Sequence, residues 1–251
     1  YKVSIKTAKI WNIPIKRVYK NLEEFIKKEK NILDAVVVIV PIPDHYKIIR
    51  ELIKNKIPVI SEKTMVANLD QTKKIYKLCK NNFLNVTYNY CGYPMIRELK
   101  SKIKKKSLGE VQQIHIEMPQ DGYIRNNKSS IQKWRLVDKK IPTLILDLCS
   151  HVYSLSSFLI KEKPKKIFSN FSKFSKMGVV DDAIMQLQFE KGIKGYFWSS
   201  KVAAGNRNSL KIKILCSKGS AEWNHLNPEE LKISSKNNLW TTVDRGSKTT
   251  T

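Results

Sequence analysis

No Gly-x-Gly occurs anywhere in the 251 residues, and glycine as a whole is sparse at nine. A backbone that must come close to a phosphate at a helix N-terminus uses glycines for that approach, so these residues contain no such cradle. Cysteine is nearly absent too. Cys79, Cys91, Cys149 and Cys216 lie far apart, with no Cys-x-x-Cys pair. That spacing excludes a sequence-encoded disulfide framework and a cysteine-rich zinc site. The four histidines do not cluster with the thiols, so no metal is expected. Long hydrophobic runs are also missing. The longest, Ile32 to Pro43, is interrupted by Asp34 and is too short for a bilayer, and no basic-then-apolar leader opens the chain. The expectation is a cytoplasmic protein with no membrane partner.

Arginine is the next shortage. The formal net charge is +25, yet arginine stands only at Arg17, Arg50, Arg97, Arg125, Arg135, Arg207 and Arg245. The rest of the basic surplus is lysine, spread along the whole chain beside abundant Asn and Ile. Specific nucleic-acid recognition draws on arginine's bidentate fork and on focused basic patches, and neither is visible here. The charge reads as compositional bias, and nucleic acid is not the expected partner. Hydrophobic residues at 41% and charged residues at 27% are those of an ordinary globular protein.

What is present is an alternation of elements. Ser4 to Asn12 reads as the tail of a helix, Val18 as the start of a short strand, and Asn21-Leu-Glu-Glu-Phe as a capped helix with acidic residues in its first turn. Leu33 to Val40 is a continuous apolar run of the kind found in a strand buried on both faces. It ends at Pro41 and Pro43, and helical spacing resumes from Asp44 to Lys54. A short strand at Val59-Ile60, a capped helix from Asn68 to Lys80, a strand from Leu84 to Tyr88 and a helix through Lys106 follow. This β-α-β-α order predicts a parallel sheet covered by helices. Past Gly109 the texture changes to an extended strand from Glu110 to Met118, a long apolar helix from Thr143 to Ile160, and strands joined by turns at Lys191-Gly192 and Lys218-Gly219. Those strands predict an antiparallel sheet, hence an α/β half followed by an α+β half, with the boundary near Tyr90 to Tyr93.

Two sets of polar residues carry chemistry. In an open α/β sheet, ligands bind beyond the carboxyl ends of the strands. Pro41-Ile-Pro-Asp-His45 follows one strand there, and Glu62-Lys63 follows the next. A carboxylate beside an ammonium can hold a hydroxyl or a ribose, although the same pair is equally a solvated loop. The second set is Asp147 and His151, four residues apart on an otherwise apolar helix. That spacing puts both on one helical face, and histidine is the natural acceptor of an alcohol proton near neutral pH. Polar residues in an apolar helix are costly unless used, which favours function over a self-satisfied buried pair.

Taken in order, these segments resemble the Gfo/Idh/MocA oxidoreductases, from about Tyr1 to Ile233. Leu33-Asp-Ala-Val-Val-Val-Ile-Val-Pro-Ile-Pro-Asp-His45 is similar to that family's strand leading to T-P-N-x-x-H. Val59-Ile-Ser-Glu-Lys-Thr64 is similar to its V-x-x-E-K-P motif, and Val86-Thr-Tyr-Asn-Tyr90 to the strand that leaves its cofactor domain. Trp134-Arg135 and Leu146-Asp-Leu-Cys-Ser-His151 are similar to its W-R and D-x-x-x-H elements. Val180-Asp-Asp-Ala-Ile through Lys218-Gly-Ser-Ala-Glu-Trp223 follows its second-domain sheet. Thr64 stands where proline is usual, Ile42 where asparagine is common, and Cys149 where glycine is frequent.

The resemblance implies a Rossmann-type NAD(P)-binding domain over residues 1–91, lacking its first β-α-β unit here, and an α+β substrate-binding and oligomerisation domain over 92–251. It implies hydride transfer, with NAD or NADP, to or from a secondary alcohol of a sugar, cyclitol or nucleotide sugar. A nucleotide sugar or glycan precursor is the preferred substrate. Lys63, Asp147 and His151 would be catalytic, and Pro41, His45, Glu62, Lys63, Asn89, Trp134 and Arg135 would line the cofactor. A homo-oligomer would form through the second-domain sheet. Two rival readings are a non-catalytic cofactor or sugar sensor with the same fold, against which the retention of Lys63, Asp147 and His151 together argues, and a nucleic-acid binder. The family's glycine fingerprint would lie upstream of Tyr1, and the expectation is that these residues alone bind NAD(P) poorly.

Overall fold

The computed structural model describes residues 2–125, 131–235 and 239–247. The chain divides into two compact units, Tyr1–Thr87 and Tyr88–Thr251.

The first unit runs α1 (Lys2–Ile10), α2 (Leu22–Glu29), β1 (Val36–Val38), α3 (Ile42–Lys54), β2 (Val59–Glu62), α4 (Leu69–Leu78) and β3 (Leu84–Thr87). Its strands form a three-stranded parallel sheet in the order β1-β2-β3, with Val36 opposite Val59 and Val59 opposite Leu84. Caps written in the sequence start two of the helices. Asn21 Oδ1 accepts from the Glu24 backbone N–H at 2.9 Å, and Asn68 Oδ1 accepts from that of Gln71 at 2.9 Å. The core joins Val38 and Val59 to Ile49, Leu52 and Ile53 of α3 and Ile75 of α4. Each α3 position named recurs at helical spacing, which turns one stripe of that helix to the sheet.

Three expectations need correction. Val18 starts no strand; it closes a 3-10 turn over Ile15–Arg17. The apolar run from Leu33 to Val40 contributes only three ladder residues, because its downstream end turns toward α3, for which Pro41 is the N-cap. Helix α3 therefore begins at Ile42, two residues before Asp44. β1 forms an edge of the sheet, with Val37 and Ile39 59% and 74% exposed.

The second unit runs α5 (Pro94–Lys104), β4 (Val111–Pro119), a helical segment ending in α6 (Ser150–Ile160), then β5 (Pro164–Ser172), β6 (Asp182–Phe189), β7 (Lys194–Ser200), β8 (Lys211–Cys216), β9 (Gly219–Asn224), β10 (Glu230–Ser235) and β11 (Trp240–Asp244). Its eight-stranded sheet has the order β11-β10-β9-β8-β4-β7-β6-β5. Every pair is antiparallel except β4 with β7. Ile114, Ile116 and Met118 of β4 point into a core with Val152, Leu155 and Leu159 of α6 and Ile96 and Leu99 of α5. His115 and Glu117 alternate to the opposite face, as strand geometry requires. Strands β5, β10 and β11 were not legible in the sequence. Ile167-Phe168 breaks alternation in β5, and both residues are exposed on this edge strand.

Candidate active site

In the first unit, the carboxyl ends of β1 and β2 collect the residues singled out above. Glu62 is the last residue of β2. Its Oε1 accepts from the Thr87 hydroxyl at 2.9 Å and its Oε2 from the Lys63 backbone N–H at 3.2 Å, so the carboxylate is fixed against the end of β3. Lys63 follows directly, half-buried, and its peptide bond to Thr64 is cis. His45, expected to line the cofactor, is fully buried. Its Nδ1 lies 2.9 Å from the Thr64 carbonyl oxygen and its Nε2 lies 2.8 Å from that of Val40. The ring therefore braces the loops after β1 and β2 from behind. Pro41 is exposed at the start of α3.

An exposed helix start, a held carboxylate and a lysine thus share the carboxyl ends of parallel strands, the place where open α/β sheets bind ligands. The first unit contains no glycine at all, since the first in the chain is Gly92.

In the second unit the helix carrying Asp147 is not regular. Ile145–Cys149 forms a π-turn, in which hydrogen bonds run from i to i+5, and α6 begins at Ser150. Simple α-helical spacing between Asp147 and His151 is therefore corrected. Asp147 is 6% exposed. Its Oδ2 accepts from Lys201 Nζ at 2.6 Å and from Arg135 Nε at 3.0 Å. Lys201, just past β7, is itself 5% exposed, and its ammonium stands 5.1 Å from the centre of the Tyr123 ring. The Tyr123 hydroxyl donates to the Arg135 carbonyl at 3.0 Å. Burial, reinforced by the negative charge of Asp147, pushes the Tyr123 phenol up to about 12.

His151 is buried in the first turn of α6 and is walled by aromatic rings. Tyr90 meets it edge-on with 4.9 Å between centroids, and Tyr88 at 6.2 Å. Behind them the Tyr90 hydroxyl accepts from Asn208 Nδ2 at 3.0 Å, and the Tyr93 hydroxyl pairs with His225 Nε2 at 3.1 Å. Desolvation raises the Tyr90 and Tyr88 phenols above their ordinary value. His151 is thus enclosed by tyrosine rings and shares its helical segment with the Asp147 carboxylate.

The structure thus groups Pro41, His45, Glu62 and Lys63 at one sheet end of the first unit. In the second it ties Arg135 to Asp147 and stacks Arg135 on Trp134 at 4.5 Å. Asn89 is exposed and opens a 3-10 turn after β3. Lys201 and Tyr90 were missed as companions of Asp147 and His151. Lys201 is one lysine in a lysine-rich chain, and nothing in its flanking sequence marks it as buried.

A three-stranded parallel sheet with polar residues at its carboxyl end, followed by a mainly antiparallel eight-stranded sheet that carries an Asp147–Lys201–Arg135 ion cluster and a buried histidine, defines a protein of one α/β and one α+β unit. Residues 3–90 match the model of the oxidoreductase family with an NAD-binding Rossmann fold, and residues 96–222 match that of the GFO/IDH/MocA C-terminal domain. The chain belongs to the GFO/IDH/MocA oxidoreductase family. Uncharacterized oxidoreductase YfiI of Bacillus subtilis (strain 168) is 27% identical over 249 residues, 93% of this chain and 63% of the relative. The chain therefore spans under two thirds of that protein's length. An inositol dehydrogenase homolog from Azotobacter vinelandii, solved with NADH and myo-inositol, superposes with a TM-score of 0.91 at 22% identity, over 99% of this chain and 66% of that one. Levoglucosan dehydrogenase, solved with NADH and L-sorbose, gives 0.86 at 19% identity, over 97% and 68%. At these identities the two structures speak to the fold.

Proposed function

We propose that the protein carrying this chain oxidises or reduces a secondary alcohol of a sugar, cyclitol or nucleotide sugar. The single observation that carries the reading is the buried histidine, His151, on the same helical segment as a carboxylate held by two cations. In this reading His151 accepts the hydroxyl proton on oxidation and returns it on reduction. Lys63 polarises the oxygen of the reacting carbon, and Asp147 fixes a substrate hydroxyl. NAD or NADP, when bound, supplies the hydride acceptor or donor. Pro41, Glu62, Asn89, Trp134 and Arg135 bound its nicotinamide half, while His45 holds the loops that present it. Residues 1–91 serve as the cofactor domain and 92–251 as the substrate and oligomerisation domain, and the protein works in the cytoplasm.

Relatives that bind myo-inositol, levoglucosan and L-sorbose support a polyhydroxylated substrate. A second copy of the chain is the proposed partner of the open sheet face. That face presents exposed Ile184, Phe168 and Tyr196, beside a trough of about 400 Å3 lined by His115, Glu117, Lys213, Glu222 and Lys232.

The test is steady-state nicotinamide absorbance with NAD and NADP across a panel of sugars, cyclitols and nucleotide sugars, using the full-length protein. Turnover of none of them by the folded protein overturns the reading. Fluorescence titration with NADH should show weak binding by the 251 residues alone, which lack a Gly-x-Gly turn. Tight binding there would assign the phosphates to another segment.

A further inference from the structure

The geometry points to Lys201 as a positioning residue for the reaction: its buried ammonium locks the Asp147 carboxylate in the orientation in which it receives substrate. The inference rests on the proposed function for its catalytic consequence, and on three observations of its own.

First, Lys201 and Arg135 converge on one carboxylate oxygen, Oδ2, at 2.6 and 3.0 Å, while Arg135 Nη2 reaches Oδ1 only at 3.5 Å. The shorter bond is the lysine's. Second, the lysine has no room to wander. Its backbone N–H donates to the Asp181 carbonyl at 2.8 Å, its own carbonyl accepts from the Tyr123 N–H at 2.9 Å, and its ammonium lies over the Tyr123 ring. A long flexible side chain is thereby held at both ends, which removes most of the rotamer freedom that makes surface lysines poor positioners. Third, Asp147 stands in a π-turn, a local departure from the α-helix that recurs at functional sites. A buried carboxylate needs cations to stay ionised, and one arginine that is 30% exposed and also bonded to Gln132 is a divided partner. Lys201, with a side chain 6% exposed, supplies the constant one.

Positioning predicts that Lys201 acts only through Asp147. In the full-length protein, Lys201→Met should lower kcat/KM for the polyol about tenfold or more, while Lys201→Arg, which keeps the charge, should recover most of it. NADH binding should change less than twofold in both. The decisive measurement is a double-mutant cycle with Asp147→Asn. The double variant should be no slower than Asp147→Asn alone. Multiplicative losses, or a Lys201→Met enzyme with unchanged kcat and KM, overturn the assignment, as does a folded Lys201→Arg as slow as Lys201→Met. Should Lys201→Met fail to fold, the neutral pair Lys201→Gln with Asp147→Asn replaces it in the cycle. If the wild type turns over no polyol with either cofactor, the proposed function has failed. The positioning is then read from the crystal structure of Lys201→Met, where an Asp147 carboxylate unmoved from its place sinks it and a rotated one supports it.

Discussion

The imidazole of His151 stands edge-on to the phenol ring of Tyr90, 4.9 Å between centroids and 77° between planes. The contact sets the orientation of the imidazole within the second unit. Replacing His151 by alanine should cut turnover about a hundredfold or more, the scale of losing an acid–base group, with Lys63→Ala costing as much. Steady-state rates of the full-length variants measure both. Near-normal turnover in His151→Ala would move proton transfer elsewhere.

Tyr123, beside the Lys201 ammonium, is an alternative proton carrier, and its titration argues against the part. Burial and the charge of Asp147 push it up to about 12, so it keeps its proton at neutral pH and cannot accept another group's. Tyr123→Phe should leave turnover within about fivefold, the cost of one hydrogen bond. The same shift bears on stability. The folded pKa lies above that of the unfolded chain, so the contribution is complete below about pH 10 and is lost as pH rises toward 12. Thermal melts from pH 9 upward should fall more steeply for wild type than for Tyr123→Phe, and parallel slopes would refute the assignment.

The thiols give a readout that needs no substrate. Desolvation pushes Cys149 and Cys216 up to about 11. The reactive thiolate should then be roughly a hundredfold scarcer near neutral pH than in the unfolded chain. Iodoacetamide labelling followed by peptide mass mapping should find both cysteines slow in native protein and fast in urea. Rapid native labelling of Cys149, which is 5% exposed, would contradict the packing around the π-turn.

Gly219 tests the outer half of the sheet. A Cβ placed there would stand 2.4 Å from the Ser234 carbonyl oxygen of β10, closer than any real contact. Gly219→Ala should destabilise by about 1–3 kcal/mol through the forced separation of β9 and β10. Gly122→Ala meets nothing within 4 Å and is the control. Equal melting temperatures for the two variants would mean the strands adjust freely.

The two classes of element were legible because each carries its own period. Asn21 and Asn68 announced their helices, and the alternation of Ile114, Ile116 and Met118 announced β4. What the sequence hid were features set by distant parts of the chain. The apolar run around Val36 looked like a long buried strand, but its downstream end turns at Pro41 into α3 and leaves three residues in the ladder. β5 escaped because an exposed edge strand need not alternate. Asp147 and His151 stood out as polar interruptions of an apolar helix, whereas Lys201, 54 positions from Asp147, was camouflaged among the other lysines. The π-turn gave no local signal at all.

The pairing of β4 has a consequence for how the chain acquires its shape. β4 neighbours β7 and β8, so its residue Ile116 must wait for Phe197 and Ile212, roughly eighty to a hundred residues later in synthesis. The first unit's strands pair with partners close in sequence and can close early, as local contacts do. On a ribosome the second unit's central strand therefore emerges long before either ladder can form. Ile114, Ile116 and Met118 meanwhile stand in solvent, or against a chaperone. Assembly of this protein is paced by the arrival of β7 and β8, and a pause in translation between β4 and β7 prolongs the interval in which a misplaced strand can take their place.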